Sequence, residues 1–454
     1  MRTVVISCAL ALTGPIGTLA ETYLASPDGT GDFPTIQAAI NAANDGDEVV
    51  LADGVFLGDG NRDLTYLGKA ITIRSESDDP ESCILDCEGS TGNPHRGVRF
   101  IVYESRQSVL RGITIRNGWM EGSDVALYAG GAIYCEYASP AIEKCIFRDN
   151  TARSGGAMIV YYGSSPLVSD CLFEGNDAYG YVAGGLCVCV GSRPVVTNCI
   201  FRGNGPNGME SGGSSDPEIR NCEFSGHPGC GLSCGDSFLG DIVVDGCRFF
   251  DNLGPGIRSV DPAVAVSNCS FWNNRAPNGA AFQLEHNFDV SVTDCLIYEN
   301  WAEETGGAVW CRDAGLARFV SCTFVQNGAG GGASAIDCGP ATVTIEKSVI
   351  AFGGVGAGVG GGADLSCCDI FGNAGGDWVG NIADQFGADG NISEDPLFCN
   401  SENFDFSLHA DSPCAPDYNP ECGLIGALPV GCGGSPALKT TWGAMKALFR
   451  TETK

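Results

Sequence analysis

The middle of the chain consists of short stretches in which hydrophobic and polar positions alternate. Cys145 and Phe147 form one such alternating pair, and Cys199 and Phe201 form another, with polar or variable residues around them. A period of two is typical of β-strands, and the Gly, Pro, Asn and Asp residues between the stretches are typical of turns. Helical repeats would instead place apolar residues every three to four positions. The pattern therefore predicts many short strands joined by turns.

One motif recurs through these stretches: a cysteine, usually a phenylalanine two positions later and, in most copies, an asparagine five positions later. Its cysteines stand at 145, 171, 199, 222, 247, 269, 295 and 322, so consecutive copies are between 22 (247 to 269) and 28 (171 to 199) residues apart. A second alternating stretch follows a pair of glycines in several copies, as after Gly130-Gly131 and Gly306-Gly307. A period in the twenties with two or three short strands per repeat predicts an all-β fold, a right-handed parallel β-helix (solenoid) of about ten to twelve coils.

Equivalent residues of successive coils in such a solenoid lie about 4.8 Å apart and form ladders along its axis. We therefore expect the phenylalanines of the motif to stack inside the solenoid, with Ile297 in place of one ring. The asparagines are expected to bond turn backbone groups and the amide of the next coil, and His227 interrupts their ladder. The ladder cysteines are expected to be buried thiols, because side chains that point the same way in parallel register strain a disulfide.

The two ends of the chain differ from the repeats. The first 20 residues combine a basic residue, an apolar core and a small-residue cleavage site, which predicts a secretory signal peptide, and a lipoprotein signal at Cys8 is the weaker alternative. No later stretch has the roughly 20 apolar residues needed to cross a bilayer, so we expect a secreted, extracellular or cell-surface protein. Ile36, Ala39 and Ile40 share one face of a predicted helix that caps the first coil. The predicted organisation is a signal peptide at 1–20, a cap with the first strand at 21–56, coils at 57–390, a closing segment at 391–432 and a tail at 433–454.

The closing segment carries four cysteines outside the repeats. It is rich in Pro and Asn, and an exported chain meets an oxidising environment in which such cysteines pair. We therefore expect disulfides to form among Cys399, Cys414, Cys422 and Cys432.

The strongly negative net charge limits the classes of molecule that this protein can bind. The chain has 25 Lys and Arg against 55 Asp and Glu, a formal net charge of -30, and this argues against nucleic acid, whose phosphates need clustered basic residues. A polyanionic glycan would need calcium to bridge it to such a surface. The acidic loops at 28–32, 44–48 and 76–80 offer oxygen ligands for calcium, although ordinary turns explain them as well. We predict no built-in metal site and no assured cofactor, with calcium as the one candidate ion.

Two stretches resemble known families. The segment DGTGDFPTIQAAINAANDGDEVVLADGVF at 28–56 resembles the opening of secreted β-helix proteins of the pectate-lyase-like group, including pectin methylesterases. The repeats GGAI at 130–133 and GGAV at 306–309, together with FxxN as at 147–150, are similar to those of polymorphic outer-membrane proteins. The resemblance implies the β-helix fold and a carbohydrate-related role. The catalytic segments of pectin methylesterases, the paired aspartates of polygalacturonases and the RxPxxR of pectate lyases have no counterpart in this chain.

Charged residues stand at equivalent positions of three consecutive coils, at Arg148, Glu174 and Arg202. A polysaccharide lyase needs a basic residue beside carboxylates to abstract a proton next to a uronate carboxyl group. These three residues are therefore the candidate catalytic group. The alternative is a ladder of ion pairs on a solvated face.

Aromatic residues are concentrated in one part of the chain. By alternation, Tyr134, Tyr161 and Trp310 are predicted to point outward, where an aromatic face can pack against a sugar ring. They are the candidate ligand-binding residues. The alternative is that these large side chains are sheltered under neighbouring loops.

Together these observations favour a secreted or surface-associated β-helix protein that binds glycan or another extracellular surface. We expect it to be a monomer. The alternatives are a polysaccharide lyase or hydrolase of the pectate-lyase-like group and a structural surface spacer. An enzyme should bring acidic and basic residues of adjacent coils together in one groove, with perturbed ionisation. A binding protein should instead present exposed aromatic residues in a row, and a spacer should present neither.

Overall fold

The computed structural model of the chain describes residues 20–180, 182–235 and 241–433. The predicted signal peptide, apart from Ala20, and the predicted tail beyond Gly433 lie outside these residues. Three long parallel sheets, here called A, B and C, run side by side along the described chain. Each complete coil contributes one strand to sheet A, then one to sheet B and then one to sheet C. The fold is therefore the predicted parallel β-helix.

Sheet A has 14 strands. In order they are Thr22–Ala25, Glu48–Leu51, Thr72–Ser75, Val109–Arg111, Ala141–Glu143, Leu167–Ser169, Val195–Thr197, Glu218–Arg220, Asp241–Asp245, Ala263–Ser267, Asp289–Thr293, Leu316–Val320, Thr342–Glu346 and Ala363–Ser366. The solenoid is thus longer than the ten to twelve coils that the sequence predicted. The cysteine motif begins only at Cys145, and the coils before it have no repeated residue from which they could be counted.

Sheets B and C have 13 and 12 strands. Those of sheet B are Gly54–Phe56, Cys83–Asp86, Thr114–Arg116, Ile146–Arg148, Leu172–Glu174, Ile200–Arg202, Glu223–Ser225, Arg248–Phe250, Ser270–Trp272, Leu296–Tyr298, Thr323–Val325, Val349–Ala351 and Asp369–Phe371. Those of sheet C are Leu64–Thr65, Val98–Phe100, Ile133–Glu136, Met158–Tyr161, Ala183–Val188, Asn207–Ser211, Leu232–Cys234, Ile257–Val260, Phe282–Glu285, Val309–Cys311, Ile336–Asp337 and Val359–Gly360.

Smaller elements complete the coils. Short parallel pairings in the turns join Thr151–Ala152 to Asp177–Ala178, and Arg275–Asn278 to Trp301–Thr305 and Gly328–Ala329. The α-helices are Ile36–Ala42 and Val125–Tyr128, and the 3-10 helices are Gly380–Gln385 and Ser401–Asn403. In the described part of the chain no helix has the length and apolarity required to cross a bilayer.

The predicted capping helix is confirmed. The helix α1 (Ile36–Ala42) begins at Thr35, whose hydroxyl accepts a hydrogen bond from the Ala38 N–H at 3.2 Å. This contact satisfies one of the free amides of the first turn. Ile36 and Ile40 are buried, and the helix contacts the first strands of sheets A and C. It therefore covers the apolar end of the solenoid.

Stacked rings fill the interior as predicted. The rings of Phe173, Phe201, Phe224, Phe249 and Phe271 lie nearly parallel, with successive centroids 4.5 to 4.8 Å apart. All are buried, and so is Ile297 in the place of the next ring. The spacing of the rings follows from the spacing of parallel strands. The motif therefore encodes the core.

The asparagines form the predicted ladder along the turn that leaves sheet B. Asn150 donates through Nδ2 to the Oδ1 of Asn176 at 3.0 Å, and Asn176 donates in the same way to Asn204 at 2.9 Å. Each amide also bonds a backbone carbonyl, as Asn176 bonds Phe147 at 2.8 Å. His227 interrupts the ladder, accepting through Nδ1 from the Asn204 N–H at 3.0 Å. Side chains therefore satisfy the backbone groups of the buried turn.

The ladder cysteines are buried free thiols, as expected. The Cys222 N–H donates to the sulfur of Cys247 at 3.4 Å, and the Cys247 N–H to that of Cys269 at 3.2 Å. Each thiol in turn lies near a carbonyl two residues before it, as Cys269 does to Ser267 at 3.0 Å. The cysteines thus serve as small hydrogen-bonding core residues.

The closing segment folds back onto the last coils and forms a sheet of its own from Phe398–Asn400, Asp405–His409 and Val430–Cys432. Two of the four expected cysteines pair with each other, in the disulfide Cys399–Cys432. The expectation for the other two is wrong in part. Cys422 pairs with Cys367 of the last coil, and Cys414 is a buried free thiol. The fold-back places Cys422 against Cys367, and it places Cys414 at 3.2 Å from the Asp369 carboxylate instead of a second sulfur.

Candidate functional site

Three exposed tyrosines stand in a row on consecutive coils, and we call Tyr103, Tyr137 and Tyr162 the tyrosine ladder. Each lies in the turn that follows a strand of sheet C, with positive φ of 60°, 51° and 47°. Their exposed fractions are 78%, 52% and 38%. A left-handed turn residue is unusual for an aromatic side chain. Here it directs the ring away from the solenoid and into solvent.

The rings of the tyrosine ladder contact one another. Tyr137 and Tyr162 stack with centroids 5.2 Å apart and planes within 3°, and Tyr103 lies 6.3 Å from Tyr137 at an inclination of 41°. Tyr161, the residue before Tyr162, meets it edge to face at 4.2 Å. The row continues on the next coil with Val190, whose φ is 55° and which is also exposed. The three tyrosines thus form one aromatic strip along the solenoid axis, and Val190 holds the equivalent position on the next coil.

A buried carboxylate holds the first turn of the tyrosine ladder. Glu104 is almost fully buried, and its oxygens accept from the N–H groups of Val102 at 2.8 Å and Gly68 at 3.0 Å. Its carbonyl accepts from the Ser139 N–H of the next coil at 2.6 Å. The backbone that presents Tyr103 is therefore fixed between two neighbouring coils.

Two exposed arginines lie within four residues of Tyr103 in the chain. Arg99 and Arg106 are exposed and form no ion pair among residues 20–180, 182–235 and 241–433. Most other arginines of this acidic protein are paired with a carboxylate. The surface near Tyr103 therefore offers free guanidinium donors, which can bind hydroxyl or carboxylate oxygens.

Tyr134, predicted to face solvent as a ligand-binding residue, is only 1% exposed. Its ring does point away from the interior, but the segment that contains the helix α2 (Val125–Tyr128) covers it together with Ile159. The guanidinium of Arg96, itself 2% exposed, lies 5.0 Å from the ring centroid and donates to the carbonyl of Ala126 in the same segment. The expectation of an exposed Tyr134 is therefore wrong, because a non-repeating loop shelters it.

Burial changes the ionisation of this covered pair. Desolvation lowers the pKa of Arg96 to about 10, with a smaller contribution from neighbouring Arg99. Desolvation also raises the pKa of the Tyr134 hydroxyl above its ordinary value. Both shifts favour the neutral forms, as expected for groups held away from water.

Tyr161 and Trp310, the other two predicted ligand-binding residues, are half-buried on the outer face of sheet C. Tyr161 packs beside the tyrosine ladder, and burial together with its hydrogen bond to Tyr162 raises its pKa to about 12. Trp310 lies several coils away, between Gln283 and Asp337 of the adjacent strands. The structure thus does not bring the three predicted residues together, and a ligand role for Tyr161 or Trp310 stays a prediction.

The predicted catalytic group is arranged as a ladder of ion pairs on sheet B. Glu174 lies between the two arginines, 3.1 Å from Arg148 and 3.5 Å from Arg202. Arg148 also binds Glu81 at 2.9 Å, and these hydrogen bonds, the one to Glu81 first, raise the pKa of Arg148 above its ordinary value. An arginine held protonated by two carboxylates is poorly suited to accept a proton. The geometry matches the alternative stated for these residues.

Two open cavities lie at the turns. The larger, of about 600 Å³, is lined by Leu57, Asp86, Glu88, Gly89, Asn117, Gly118, Trp119, Asp149 and Thr151. Its most buried carboxylate, Asp86, already accepts from Arg116 at 2.9 Å and from Asn117 at 3.0 Å. The smaller, of about 450 Å³, is lined by Asp261, His286, Asn287, Asp313 and Ala314. Within the described ranges no three His, Cys, Asp or Glu side chains come together to hold a metal ion, and the acidic loops considered for calcium form no such group.

Sequence reasoning missed the tyrosine ladder because alternation describes strands and not turns. Tyr137 and Tyr162 each follow the last residue of a strand, where a period of two no longer gives the side-chain direction. A usable signal was present. The two tyrosines stand 25 residues apart (137 to 162), within the range of the repeat period.

Comparison with known proteins supports the fold. The model of the right-handed β-helix region family matches residues 181–324. A metabotropic glutamate receptor-like protein R of Dictyostelium discoideum is 27% identical over 255 residues, which make up 55% of this chain and only 12% of that protein. This chain therefore spans a small part of that relative's length.

Two solved structures are similar to this one. The surface adhesin PfbA of Streptococcus pneumoniae superimposes with a TM-score of 0.51 at 13% identity, over 76% of this chain and 87% of the adhesin. The alginate lyase AlyGC, of polysaccharide lyase family 6, superimposes with a TM-score of 0.56 at 13% identity, over 92% of this chain and 59% of the lyase. At such identities the likeness shows a shared right-handed β-helix and nothing further.

Proposed function

We propose that this protein is secreted or surface-associated and binds glycan through the tyrosine ladder. The observation that carries the proposal is the row of exposed rings at Tyr103, Tyr137 and Tyr162. Exposed aromatic residues in a row are the feature expected of a binding protein and not of a spacer. The names of the two similar structures, a surface adhesin and an alginate lyase, are in line with this role.

The chemistry of the strip suits a sugar chain. Aromatic rings offer large, rigid apolar faces that lose little conformational entropy on binding, and sugar rings present apolar C–H faces to them. The ladder is linear, so a linear polymer lying along the axis can contact several rings at once. Arg99 and Arg106, close to Tyr103 in the chain and without an ion pair among the described residues, can donate hydrogen bonds to the polar edges of the same sugars.

Binding is favoured over catalysis because the candidate catalytic group is already engaged. Arg148 and Glu174 are each held by two partners of opposite charge, and no other partner is needed to explain their positions. Such a ladder stabilises a solvated face modestly.

The proposal is tested by retention of the mature chain, residues 21–454, on an array of neutral and uronate-containing polysaccharides, with and without calcium. Wild type is compared with the double variant Tyr137→Ala and Tyr162→Ala. Tyr418→Ala, which removes an exposed tyrosine from the closing segment, is the matched control. Thermal unfolding of all three proteins verifies that they are folded.

We expect wild type and the control to be retained on at least one polysaccharide and the double variant to be released from it. Retention of the double variant equal to wild type on every polysaccharide would overturn the role of the ladder. Retention of no protein at all would favour the spacer. Growth of ultraviolet absorbance from unsaturated products would favour the lyase.

A further inference from the structure

The free cysteines of this protein differ sharply in accessibility. Across the described residues every free cysteine is buried except Cys189, which is partly exposed. A water-soluble thiol reagent should therefore meet Cys189 first. The ladder cysteines, enclosed in the core, are shielded from the same reagent.

Cys189 has a second thiol beside it. Cys187, two residues earlier at the end of the sheet C strand Ala183–Val188, projects from the same outer face, while Val188 between them is buried in the core. The two sulfur atoms are 3.1 Å apart. The sulfurs can approach each other because residues two apart on a strand share a face.

The surroundings give the two thiols different roles. Cys187 is fully buried against Tyr134 and Ile159, and the Ser154 hydroxyl donates to its sulfur at 3.4 Å. The hydrogen bond with Cys189 and burial raise the pKa of Cys187 well above its ordinary value. Cys187 is therefore a protonated, enclosed thiol, and Cys189 is the thiol that reaches solvent.

We propose that Cys187 and Cys189 form a reversible redox site that closes to a disulfide by exchange with a low-molecular-weight disulfide. The thiolate of Cys189 attacks one sulfur of that disulfide, the sulfur–sulfur bond of the small molecule breaks, and one small thiolate leaves. Cys187 then gives its proton to water or to the departing thiolate and attacks the Cys189 sulfur. The second small thiol leaves. The protein has lost two protons and two electrons, and the small disulfide has been reduced to two thiols.

The same geometry makes the bond easy to reduce. The sulfurs must approach by about 1 Å to reach a disulfide length of about 2.05 Å, and the ring joins residues only two apart on an extended strand. Such a closure is strained, and strained disulfides are the labile ones. The site thus differs from Cys399–Cys432 and Cys367–Cys422, which join distant segments.

The redox site adjoins the tyrosine ladder. The Cys189 N–H donates to the Val160 carbonyl at 2.9 Å, and the next residue, Val190, continues the exposed row on its coil. Closure of the pair would therefore change the backbone next to Val190, at the end of the row where Tyr162 lies. The redox chemistry itself does not depend on the proposed glycan binding.

The test incubates the purified mature chain in a series of reduced and oxidised glutathione ratios. The exchange is then quenched with acid and the free thiols are alkylated. Peptide mass spectrometry follows the peptide that contains both cysteines. We expect it to lose two hydrogens as the fraction of oxidised glutathione rises and to regain them on reduction, while the peptides of Cys222 and Cys247 remain unchanged.

Two single variants distinguish formation of the Cys187–Cys189 disulfide from a stable mixed disulfide between glutathione and Cys189. Cys187→Ser should leave a stable mixed disulfide between glutathione and Cys189, because the resolving thiol is gone. Cys189→Ser should show no reaction at Cys187. Cys338→Ser, which removes a buried thiol just after the sheet C strand Ile336–Asp337, should behave as wild type. Accumulation of glutathione on wild-type Cys189 without closure, or absence of any reaction across the series, would overturn the proposal. Glycan retention measured on the same samples reports separately on the proposed function.

Discussion

Tyr137 and Tyr162 lie face to face, with ring centroids 5.2 Å apart and planes inclined by 3°. The contact is made in solvent and not in the core, since both rings are exposed. If these rings bind sugars, the aromatic face and not the hydroxyl should carry the affinity. We expect Tyr162→Ala to weaken binding of the best-retained glycan roughly fivefold, the equivalent of about 1 kcal/mol, while Tyr162→Phe stays close to wild type. Titration calorimetry measures the difference, and a loss in Tyr162→Phe as large as in Tyr162→Ala would contradict a stacking role.

The asparagine ladder should contribute strongly to stability at each coil. Asn274 donates through Nδ2 to the Phe249 carbonyl and to Asn300, both at 2.9 Å, and accepts from Asn252 at 2.9 Å. Asn274→Ala would leave several of these buried groups without partners. We expect it to lower the free energy of unfolding by about 2 to 4 kcal/mol. Chemical denaturation gives the value, and the exposed Asn287→Ala should differ from wild type by less than about 0.5 kcal/mol.

His227 should make the protein less stable in acid. Burial lowers its pKa from 6.5 to about 4. Between these two pH values the imidazole of His227 is therefore protonated in the unfolded chain but neutral in the folded chain. Stability is therefore fully present above about 6.5 and falls as the pH drops towards 4, by about 3 kcal/mol for this group. We expect His227→Asn, which restores the ladder residue, to flatten this part of the pH profile, whereas the exposed His286→Asn should not. An unchanged profile in His227→Asn would show that other groups cause the acid sensitivity.

Asp369 should make the protein less stable as the pH rises, which is the opposite of the effect of His227. Burial raises its pKa from 3.8 to about 7, and the N–H of Glu394 opposes that rise only in part. The folded state therefore holds a proton that the unfolded state has released, and stability is lost as the pH rises from about 4 through 7. We expect Asp369→Asn to remove this loss, and we expect the closing segment that packs on it to exchange its amides more slowly at pH 8 than in wild type. Exposed Asp384→Asn serves as the control, and faster exchange in Asp369→Asn would contradict the expectation.

Much of the fold could be predicted because the repeat sets its own register. Phe173 and Phe201 are equivalent in the motif, and parallel strands stack equivalent residues one above the other. Their contact can therefore be predicted from the sequence alone. The same is true of Asn176 and Asn204. The capping helix could be predicted because an apolar stripe at helical spacing interrupts a chain of alternating strands.

The remaining features depend on contacts outside the repeat. Tyr134 is covered by the segment that holds the helix α2, which has no counterpart in other coils and leaves no trace in the strand pattern. The partner of Cys422 is Cys367 because the closing segment folds back on the last coil, and that path is not encoded in cysteine spacing. Tyr137 escaped prediction because the direction of a turn side chain is set by its positive φ.

The residue in the turn after a sheet C strand can change without changing the core residues of that strand. On one coil this position is Tyr162, and on the next it is Val190, yet the inward residues beside them, Val160 and Val188, are alike in size and burial. A single substitution there can lengthen or shorten the aromatic surface without touching the stacked interior. If the tyrosine ladder binds glycan as proposed, the length of the bound ligand can change in evolution one coil at a time, while the architecture that presents the ladder is inherited unchanged.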